Sequence, residues 1–316
     1  MKLSVIWPET RSVANAVALA QRSEAVGFRG FFLGTAFGLD PITTLAVVAQ
    51  HTERIGLGTS VVPTWPRHPF VMAQQAATTN AASGGRFRLG IGPSHPPVMS
   101  MYGIASEHPV RHTREYLTIV KALLADGSVK LRGDDFSVFG FLDVEDGGSP
   151  PVLLGALRPR LCRLAGELAD GAIPWLVPTT YLAGTIVPAV QDGARVAARA
   201  APPVLASLPC VLSTDRDAVL DTASRELAIY LQVPTYVDVF VRAGLLPDHA
   251  AAAHGWTPEL VDAVIAWGDA DALAARLQSW FDAGADELIV SPIGCGLDAA
   301  ANLDDILEVL GELARS

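Results

Sequence analysis

Two titratable side chains come directly after strand-like apolar runs. Residues at the ends of strands often transfer protons in enzymes. Glu9 follows the run LSVIW, and His95 follows the run FRLGIG. Pro96 and Pro97 come directly after His95 and limit the freedom of its loop. An imidazole has an unperturbed pKa of about 6.5, which suits proton transfer near neutral pH. We therefore predict that His95 is the proton donor, with Glu9 as the reserve candidate; the alternative is a histidine that only holds its loop by a hydrogen bond.

A second candidate site is a glycine that ends an apolar run and opens a helical stretch. Gly155 closes PVLLG and begins GALRPRLCRLAGELADG. Free N–H groups at a helix start attract anions, and Arg158 and Arg160 add positive charge there. The segment therefore predicts a phosphate-binding turn, although arginines in a first helical turn are often simply solvated. No GxGxxG follows a strand-like run and no GxxxxGK[ST] occurs, so neither a Rossmann dinucleotide site nor a P-loop is supported.

Sequence signs of metal or covalent catalysis are weak. His108 and His112 are spaced for one helical face, but no third ligand accompanies them. No GxSxG motif occurs, and the cysteines lie far apart, at Cys162, Cys210 and Cys295. We expect no metal site and no covalent intermediate, and we interpret the cysteines as packing residues in a reducing compartment.

The candidate residues lie among short apolar runs that alternate with helical patterns. Between the first two runs, Ser12 fits a helix N-cap and Gly27 fits a helix stop. Strand followed by helix, repeated, predicts an α/β fold, a (β/α)8 TIM barrel formed by a single domain over residues 1–316. A doubly wound open sheet is the alternative. The runs interpreted as strands are 3–7, 30–33, 55–62, 87–92, 151–155, 171–177, 203–213 and 287–294.

Two segments are too long for simple barrel connections. Residues 126–150, after the fourth helix, and residues 234–268, between strands seven and eight, are predicted to be insertions. The first alternates Phe136, Val138 and Phe141 among Gly and Asp, as a small hairpin would. The second carries aromatic residues at helical spacing, and it either covers the barrel mouth or packs on the barrel side.

Composition restricts the class of protein. The chain is 50% hydrophobic with a mean hydropathy of +0.32, so a large core is expected and disorder is excluded. The formal net charge is −10, which repels polyanions, so we expect no nucleic-acid partner. No apolar run approaches the ~18 residues of a membrane span, and the first residues show no secretion signal. We therefore expect no membrane partner and a cytoplasmic location.

One long stretch carries a resemblance to a known family. GTSVVPTWPRHPFVMAQQAATTNAASGGRFRLGIGPSH begins at Gly58, and HPVRHTREYLTIVKALL follows it. Together with GALRPRLCRLAGELADG and DAGADELIVSPIG, these motifs resemble the bacterial luciferase-like superfamily, and within it the deazaflavin (coenzyme F420)-dependent oxidoreductases. The resemblance runs from the first residue to about residue 295.

The resemblance implies a barrel with the deazaflavin lying across the C-terminal ends of its strands. A bulge after strand three, commonly with a non-prolyl cis peptide, would support the ring and falls at Ser60 and Val61. Ser94 would lie beside the ring together with His95. The turn after strand five would bind the cofactor phosphate through N–H groups, with Arg160 assisting; this turn comprises Gly155, Ala156 and Leu157.

The chain departs from the family at two strand ends. Members often carry His or Asp after strand two and Glu after strand four. At these positions this sequence has Gly34 and Thr35, then Pro93 and Ser94. The proton-transfer scheme of those members is therefore not carried over.

The resemblance implies an oxidoreductase that moves a hydride between C5 of the deazaflavin and a small organic substrate. An FMN-dependent luciferase-like monooxygenase and a non-catalytic flavin-binding barrel are the alternatives. The expected partners are coenzyme F420, or FMN in the first alternative, and a small-molecule substrate, and a homodimer is compatible with the sequence. Strand-end aromatic residues would supply dry walls, namely Trp7, Phe37, Trp65 and Trp175.

Overall fold

Parallel strands form the centre of the protein. The computed structural model describes residues 1–7, 11–34 and 37–315. A separate antiparallel hairpin is formed by β6 (Ser128–Arg132) and β7 (Ser137–Phe141). Within the described ranges the main sheet contains β1 (Leu3–Trp7), β2 (Gly30–Leu33), β3 (Gly56–Thr59), β4 (Val62–Pro63), β5 (Phe87–Gly92), β8 (Val152–Gly155), β9 (Gly171–Ile173), β10 (Leu205–Leu212), β11 (Ala266–Gly268) and β12 (Glu287–Pro292).

Helices connect these strands and cover the sheet. None of the described helices is both long and apolar enough to cross a membrane. A π-helical turn at Leu182–Ile186 joins α7 to α8, and two 3-10 helices lie at Ala228–Gln232 and Ala250–His254. The α-helices are α1 (Val13–Val26), α2 (Pro41–Ala49), α3 (Pro69–Ala82), α4 (Pro96–Met101), α5 (Pro109–Asp126), α6 (Pro159–Leu168), α7 (Thr179–Tyr181), α8 (Val187–Val196), α9 (Arg216–Glu226), α10 (Pro234–Arg242), α11 (Pro258–Val264), α12 (Ala270–Asp282) and α13 (Ala299–Arg315).

The sheet curls until its two sides meet. Its strands are hydrogen-bonded in the order β11, β10, β12, β1, β2, β3, β5, β8, β9, and β4 pairs with β5. Bridges between Ala172 and Val204 and between Trp175 and Ser207 then join the β9 side to β10, and the Ser207 N–H donates to the Pro174 carbonyl at 2.7 Å. The predicted α/β fold with a parallel sheet is confirmed, and each predicted run contains one strand of a ring. The ring consists of β1, β2, β3, β5, β8, β9, β10 and β12.

Local signals set the first helix as the sequence predicts. The Ser12 hydroxyl accepts a hydrogen bond from the Asn15 N–H at 3.3 Å, which satisfies one free donor at the start of α1. Gly27 ends the helix with φ +100°, a left-handed conformation that glycine adopts without steric cost. The chain then turns directly into β2.

The two long connections contain elements of their own. In the first, β6 and β7 pair so that Lys130 faces Phe139. Val129 and Val138 point to the other side of this hairpin and are buried in a small cluster with Ile119 of α5. The second connection carries α10, a 3-10 helix, α11 and β11 before α12 leads into β12.

Side chains of alternate strand residues fill the interior of the ring. One buried cluster takes a residue from each of six strands, with Val61 packed against it: Ile6, Phe32, Leu153, Ile173, Leu205 and Ile289. The large ring of Phe32 fits because Gly58 faces it from β3. A Cβ atom at Gly58 would lie 2.4 Å from Phe32 Cε1, far inside van der Waals contact. Glycine in β3 is therefore required by packing in the ring.

An ion pair crosses the interior below this cluster. The Arg88 guanidinium of β5 donates to both carboxylate oxygens of Glu287 on β12, at 2.8 and 3.0 Å. Ser4 of β1 donates its hydroxyl to the same carboxylate, and Arg88 lies over the Phe32 ring at 4.7 Å from its centroid. The side chains of Arg88 and Glu287 are only 22% and 16% exposed. We call Arg88, Glu287 and Ser4 the interior clasp.

Replacing Arg88 by Met is expected to destabilise the fold strongly. The change leaves the Glu287 carboxylate without its cation inside the ring, and breaking a mostly buried pair costs about 3 kcal/mol. Urea unfolding measures the effect. The matched control is Arg225→Met, since the Arg225–Glu226 pair is 61% and 47% exposed and such pairs contribute about 0–1 kcal/mol.

The double variant Arg88→Met/Glu287→Leu separates the pair from the packing of its members. It should regain most of the lost free energy of unfolding, because no charge is left unpaired. A loss in Arg88→Met no larger than in Arg225→Met would show that the interior clasp does not stabilise the ring.

Candidate active site

The carboxyl ends of the ring strands meet at one edge of the ring, which we call the mouth. Residues that follow strands at this edge converge on one region. The predicted acid–base candidate Glu9 follows β1 and lies outside the described residues, as does Thr35 after β2. The other predicted positions are described, and they fall after β3, β5 and β8.

Val61 is an apolar residue at the mouth that packs against two glycines. The Ser60–Val61 peptide bond is cis, where the sequence resemblance placed it, and the Ser60 N–H donates to the Leu33 carbonyl at 2.9 Å. A Cβ atom at Gly92 would lie 3.0 Å from Val61 Cγ2, and one at Gly155 would lie 3.2 Å from Val61 Cγ1. The Val61 methyl groups therefore lie against bare backbone at the ends of β5 and β8. We call these three residues the Val61 shelf.

The turn after β5 fixes His95 near this shelf. Ser94 has φ +60°, a left-handed conformation that costs a residue with a Cβ atom about 1–2 kcal/mol. His95 follows in an extended conformation and caps α4, which begins at Pro96. Its ring centroid is 5.2 Å from that of Tyr236 on α10. Ser94 and His95 therefore both lie at the mouth. Their role in binding a cofactor ring stays a prediction.

Aromatic side chains of α10 and of the 3-10 helix before it cover this side of the mouth. Tyr230 lies 4.8 Å from Tyr236 and 5.9 Å from Trp175, which follows β9, between ring centroids. His95, Tyr236, Tyr230 and Trp175 form a continuous row, which we call the aromatic wall. Of the two sequence interpretations of residues 234–268, covering the mouth is the one that this part of the structure supports. Sequence analysis did not assign Tyr230 or Tyr236 to the site. Tyr236 belongs, with Phe240 and Trp256, to the aromatic residues at helical spacing that it identified in residues 234–268, whereas no signal indicated Tyr230.

Burial keeps the aromatic wall uncharged. It lowers the pKa of His95 to about 4, because the charged imidazolium loses its hydration. It also raises the pKa of Tyr236 well above 10, with the neighbouring Tyr230 adding to the rise. The expectation that the imidazole of His95 titrates near neutral pH is therefore wrong. Because its pKa is about 4, this imidazole is neutral at pH 7.

The turn after β8 is placed at the start of α6, as predicted. The Ala156 N–H donates to the Ile173 carbonyl at 3.3 Å, so this donor is already used by the sheet. The Leu157 carbonyl accepts from the Tyr181 hydroxyl at 3.2 Å, which holds the turn while its N–H stays unbonded within the described ranges. Arg160 is exposed in the first turn of α6.

Charges around this turn are partly paired. Arg158 Nε lies 3.4 Å from Asp238 Oδ2, and Arg242 Nε lies 3.0 Å from the same oxygen. Among the described residues, no acidic side chain pairs with Arg160. The net charge of the side chains around this turn is therefore positive, although the formal net charge of the whole chain is −10.

His112 serves packing at the edge of the mouth. Its ring stacks on Trp65 with centroids 3.5 Å apart, and its Nε2 is 3.0 Å from the Thr64 hydroxyl. The Thr64 N–H donates to the Gly92 carbonyl at 3.0 Å, so this stack supports the strand end that carries the Val61 shelf. Burial lowers the pKa of His112 to about 4. Within residues 1–7, 11–34 and 37–315, no three His, Cys, Asp or Glu side chains gather as a metal site would require.

Three tryptophans at the mouth have unpartnered indole groups. The Nε1 atoms of Trp7, Trp65 and Trp175 are buried and have no hydrogen-bond partner among the described residues. Leaving a buried donor unpaired costs about 1–3 kcal/mol, which a bound acceptor would recover. Phe37, the fourth predicted wall residue, is 65% exposed and does not form a dry wall. The three cysteines are free and buried, as predicted for packing residues.

Comparisons with known proteins agree on one family. A family model described as luciferase-like monooxygenase matches residues 3–287. The 5,10-methylenetetrahydromethanopterin reductase of Methanolobus tindarius is 28% identical over 303 residues, covering 90% of this chain and 92% of that protein. A Mycobacterium tuberculosis protein described as a coenzyme F420-dependent oxidoreductase is 29% identical over 314 residues, covering 88% of this chain and 90% of that protein.

Solved structures share the fold with this chain. An F420-dependent secondary alcohol dehydrogenase in complex with an F420-acetone adduct has a TM-score of 0.79 at 18% identity, covering 98% of this chain and 97% of that chain. The oxygenating constituent of 3,6-diketocamphane monooxygenase from Pseudomonas putida, in complex with FMN, has a TM-score of 0.75 at 18% identity, covering 99% of this chain and 97% of that chain. The fold is therefore found with both kinds of cofactor.

Acid is expected to destabilise the protein partly through its two buried imidazoles. The pKa values of His95 and His112 are about 4 in the native state, whereas an imidazole in the unfolded chain titrates near about 6.5. Between these values the unfolded state binds more protons, so the free energy of unfolding falls as pH drops from about 6.5 to about 4. Urea unfolding of wild type, His95→Gln and His112→Gln at about pH 7 and about pH 5 measures this. Each variant should lose less stability on acidification than wild type, and equal losses in all three would contradict the assignment.

Proposed function

The chain belongs to the luciferase-like monooxygenase family, and from this membership and the geometry of the mouth we propose that it is a coenzyme F420-dependent oxidoreductase with a (β/α)8 barrel. The Val61 shelf is the observation that carries the proposal, because apolar methyl groups packed on bare glycine backbone at the strand ends can support a heterocycle. The deazaflavin, when bound, supplies a hydride acceptor or donor at C5. The second reactant is a small organic molecule.

The residues at the mouth fit such a ring. Bare backbone at Gly92 and Gly155 leaves the Val61 methyl groups as the contact surface, and larger side chains would displace them. Ser60 and Ser94 lie at the ends of the neighbouring strands and offer hydroxyl groups at its edge. The three unpartnered indole donors add hydrogen bonds to ring oxygens or to a substrate. We assign Ser60, Val61 and Ser94 to ring binding on this basis.

The turn after β8 would hold the anionic part of the cofactor. Its backbone lies at the amino end of α6, where the helix dipole favours a negative group. Leu157 supplies an N–H group, Gly155 allows close approach, and Arg160 supplies a cation without an acidic partner in the described chain. Ala156 contributes position rather than its N–H, which bonds to Ile173.

His95 would orient the substrate through a neutral imidazole. A group with a pKa of about 4 carries a proton in only about one molecule in a thousand at pH 7. This neutral imidazole would donate or accept a hydrogen bond toward the substrate heteroatom. The aromatic wall excludes water from the rest of this side of the mouth.

Cofactor choice is tested by titrating the purified protein with F420 and with FMN. We expect F420 to bind and FMN to bind much more weakly. Gly155→Ala should weaken F420 binding by about tenfold, because its Cβ atom would lie 3.2 and 3.3 Å from the two Val61 methyl groups and would displace them. Gly184→Ala is the matched control, since a Cβ atom there meets nothing within 4 Å.

Two outcomes would replace the proposal. If FMN co-purifies at full occupancy and F420 does not compete, the protein is an FMN-dependent monooxygenase. If F420 binds tightly and no substrate in a broad panel of alcohols, ketones and imines is turned over, the non-catalytic flavin-binding barrel is the better description.

The role of His95 is tested by comparing His95→Ala with His95→Gln. Loss of the hydrogen bond in His95→Ala should lower turnover by about 10 to 10²-fold while leaving F420 affinity unchanged. His95→Gln should regain most of that loss, because its amide also donates and accepts. A loss of about 10²-fold or more that Gln does not repair would assign proton transfer to His95, and unchanged turnover in His95→Ala would remove it from the site.

A further inference from the structure

The residues of the aromatic wall come from two parts of the fold, the ends of the ring strands and the helices that cover them. His95 and Trp175 follow ring strands β5 and β9, and Trp175 is bridged to Ser207 of β10. Tyr230 reaches Trp175 from the 3-10 helix Ala228–Gln232, and Tyr236 reaches His95 from α10, with ring centroids 5.9 and 5.2 Å apart. Tyr236 is only 4% exposed. The rings are therefore held in position before any ligand arrives.

The geometry of these rings favours flat ligands. Neighbouring rings are tilted or edge-on, with interplanar angles of 57° at His95, 52° at Trp175 and 79° between the two tyrosines. Tyr236 is almost fully buried, whereas Tyr230 and Trp175 keep part of their surface exposed, so these two rings are the ones that a ligand can contact. A flat aromatic group gains about threefold to tenfold in affinity from contacts of this kind beyond its buried area.

The charged side chains of α10 are paired on the side away from the aromatic wall. On α10, Tyr236 and Phe240 are buried, whereas Asp238 lies on the other face with Arg158 and Arg242. His249 also lies toward Asp238, at 3.9 Å. A charged substrate group against the aromatic wall would lose its hydration without gaining a partner there.

One polar group in the aromatic wall lacks a partner. Trp175 Nε1 is buried and forms no hydrogen bond with the described residues. An indole N–H can only donate, so it requires an acceptor such as a carbonyl or hydroxyl oxygen. This is the functional group that a hydride-transfer substrate carries at its reacting carbon.

We propose that the aromatic wall selects uncharged substrates in which the reacting carbon is attached to a flat aromatic or conjugated group. This inference rests on the proposed function for the reaction itself. The flat group packs against Tyr230 and Trp175, and the heteroatom of the reacting carbon accepts from an indole N–H. Phosphorylated and carboxylated compounds are excluded.

Three ketones of similar size test this selection by calorimetric titration of the protein with and without F420. Acetophenone is flat and neutral, cyclohexyl methyl ketone is puckered and neutral, and 4-acetylbenzoate is flat and charged. Acetophenone should bind about threefold to tenfold more tightly than cyclohexyl methyl ketone and at least about tenfold more tightly than 4-acetylbenzoate. Equal affinities, or tighter binding of either competitor, would overturn the proposal.

Variants locate the preference in the aromatic wall. Tyr230→Leu should bring acetophenone and cyclohexyl methyl ketone to nearly equal affinity. Phe139→Leu is the matched control, since Phe139 is 86% exposed on β7, and it should keep the wild-type preference. Trp175→Phe retains a ring but loses the N–H group, so it should weaken both neutral ketones alike by about fivefold. A wild-type preference in Tyr230→Leu, or unchanged affinity for both neutral ketones in Trp175→Phe, would refute the assignment.

The same titrations separate this inference from the proposed function. If wild-type protein binds no F420 but still prefers acetophenone, the cofactor proposal fails and the aromatic wall stands. If F420 binds and the preference for acetophenone is absent, the cofactor proposal stands and the inference about the aromatic wall fails.

Discussion

The arrangement of side chains in layers inside the ring of strands depends on the interior clasp. Arg88 reaches from β5 to Glu287 on β12 and fills the end of the ring remote from the mouth with a long polar side chain. This requires bare backbone beside it, since a Cβ atom at Gly30 would lie 2.6 Å from Arg88 Nη2. Because the charges of the interior clasp are paired with each other, the next layer of side chains toward the mouth consists only of apolar residues. The Val61 shelf therefore lies on closely packed side chains and not over an open channel.

Strand ends at the mouth carry backbone conformations that the sheet must stabilise. Ser94 and Leu176 both have positive φ, +60° and +56°, and both follow strands of the ring. Each conformation costs about 1–2 kcal/mol for a residue with a Cβ atom. They place His95 and Trp175, their neighbours in the chain, at opposite ends of the aromatic wall. The same packing that makes the ring stable therefore determines where the site residues lie.

The sequence predicts those features that depend on local pattern. Apolar runs locate every ring strand, and Ser12 and Gly27 mark the limits of α1, because caps and strands are encoded over a few residues. Family resemblance places the cis bond at Ser60 and Val61. The partner of Arg88 lies 199 positions away, and no local pattern indicates it. The pKa of His95 depends on how deeply the imidazole is buried, which its sequence position beside two prolines does not indicate, and its assignment to the site stays a prediction.

Helix α10 couples the two halves of the mouth. Its buried face supplies Tyr236 to the aromatic wall, and its outer face supplies Asp238 to Arg158 beside the turn after β8. An anion held at that turn would compete with Asp238 for Arg158. Arg242 remains 3.0 Å from Asp238 in that event, so the carboxylate keeps a cation and α10 keeps its position. Two arginines on one carboxylate therefore allow the turn to bind an anion without releasing the helix that carries the aromatic wall.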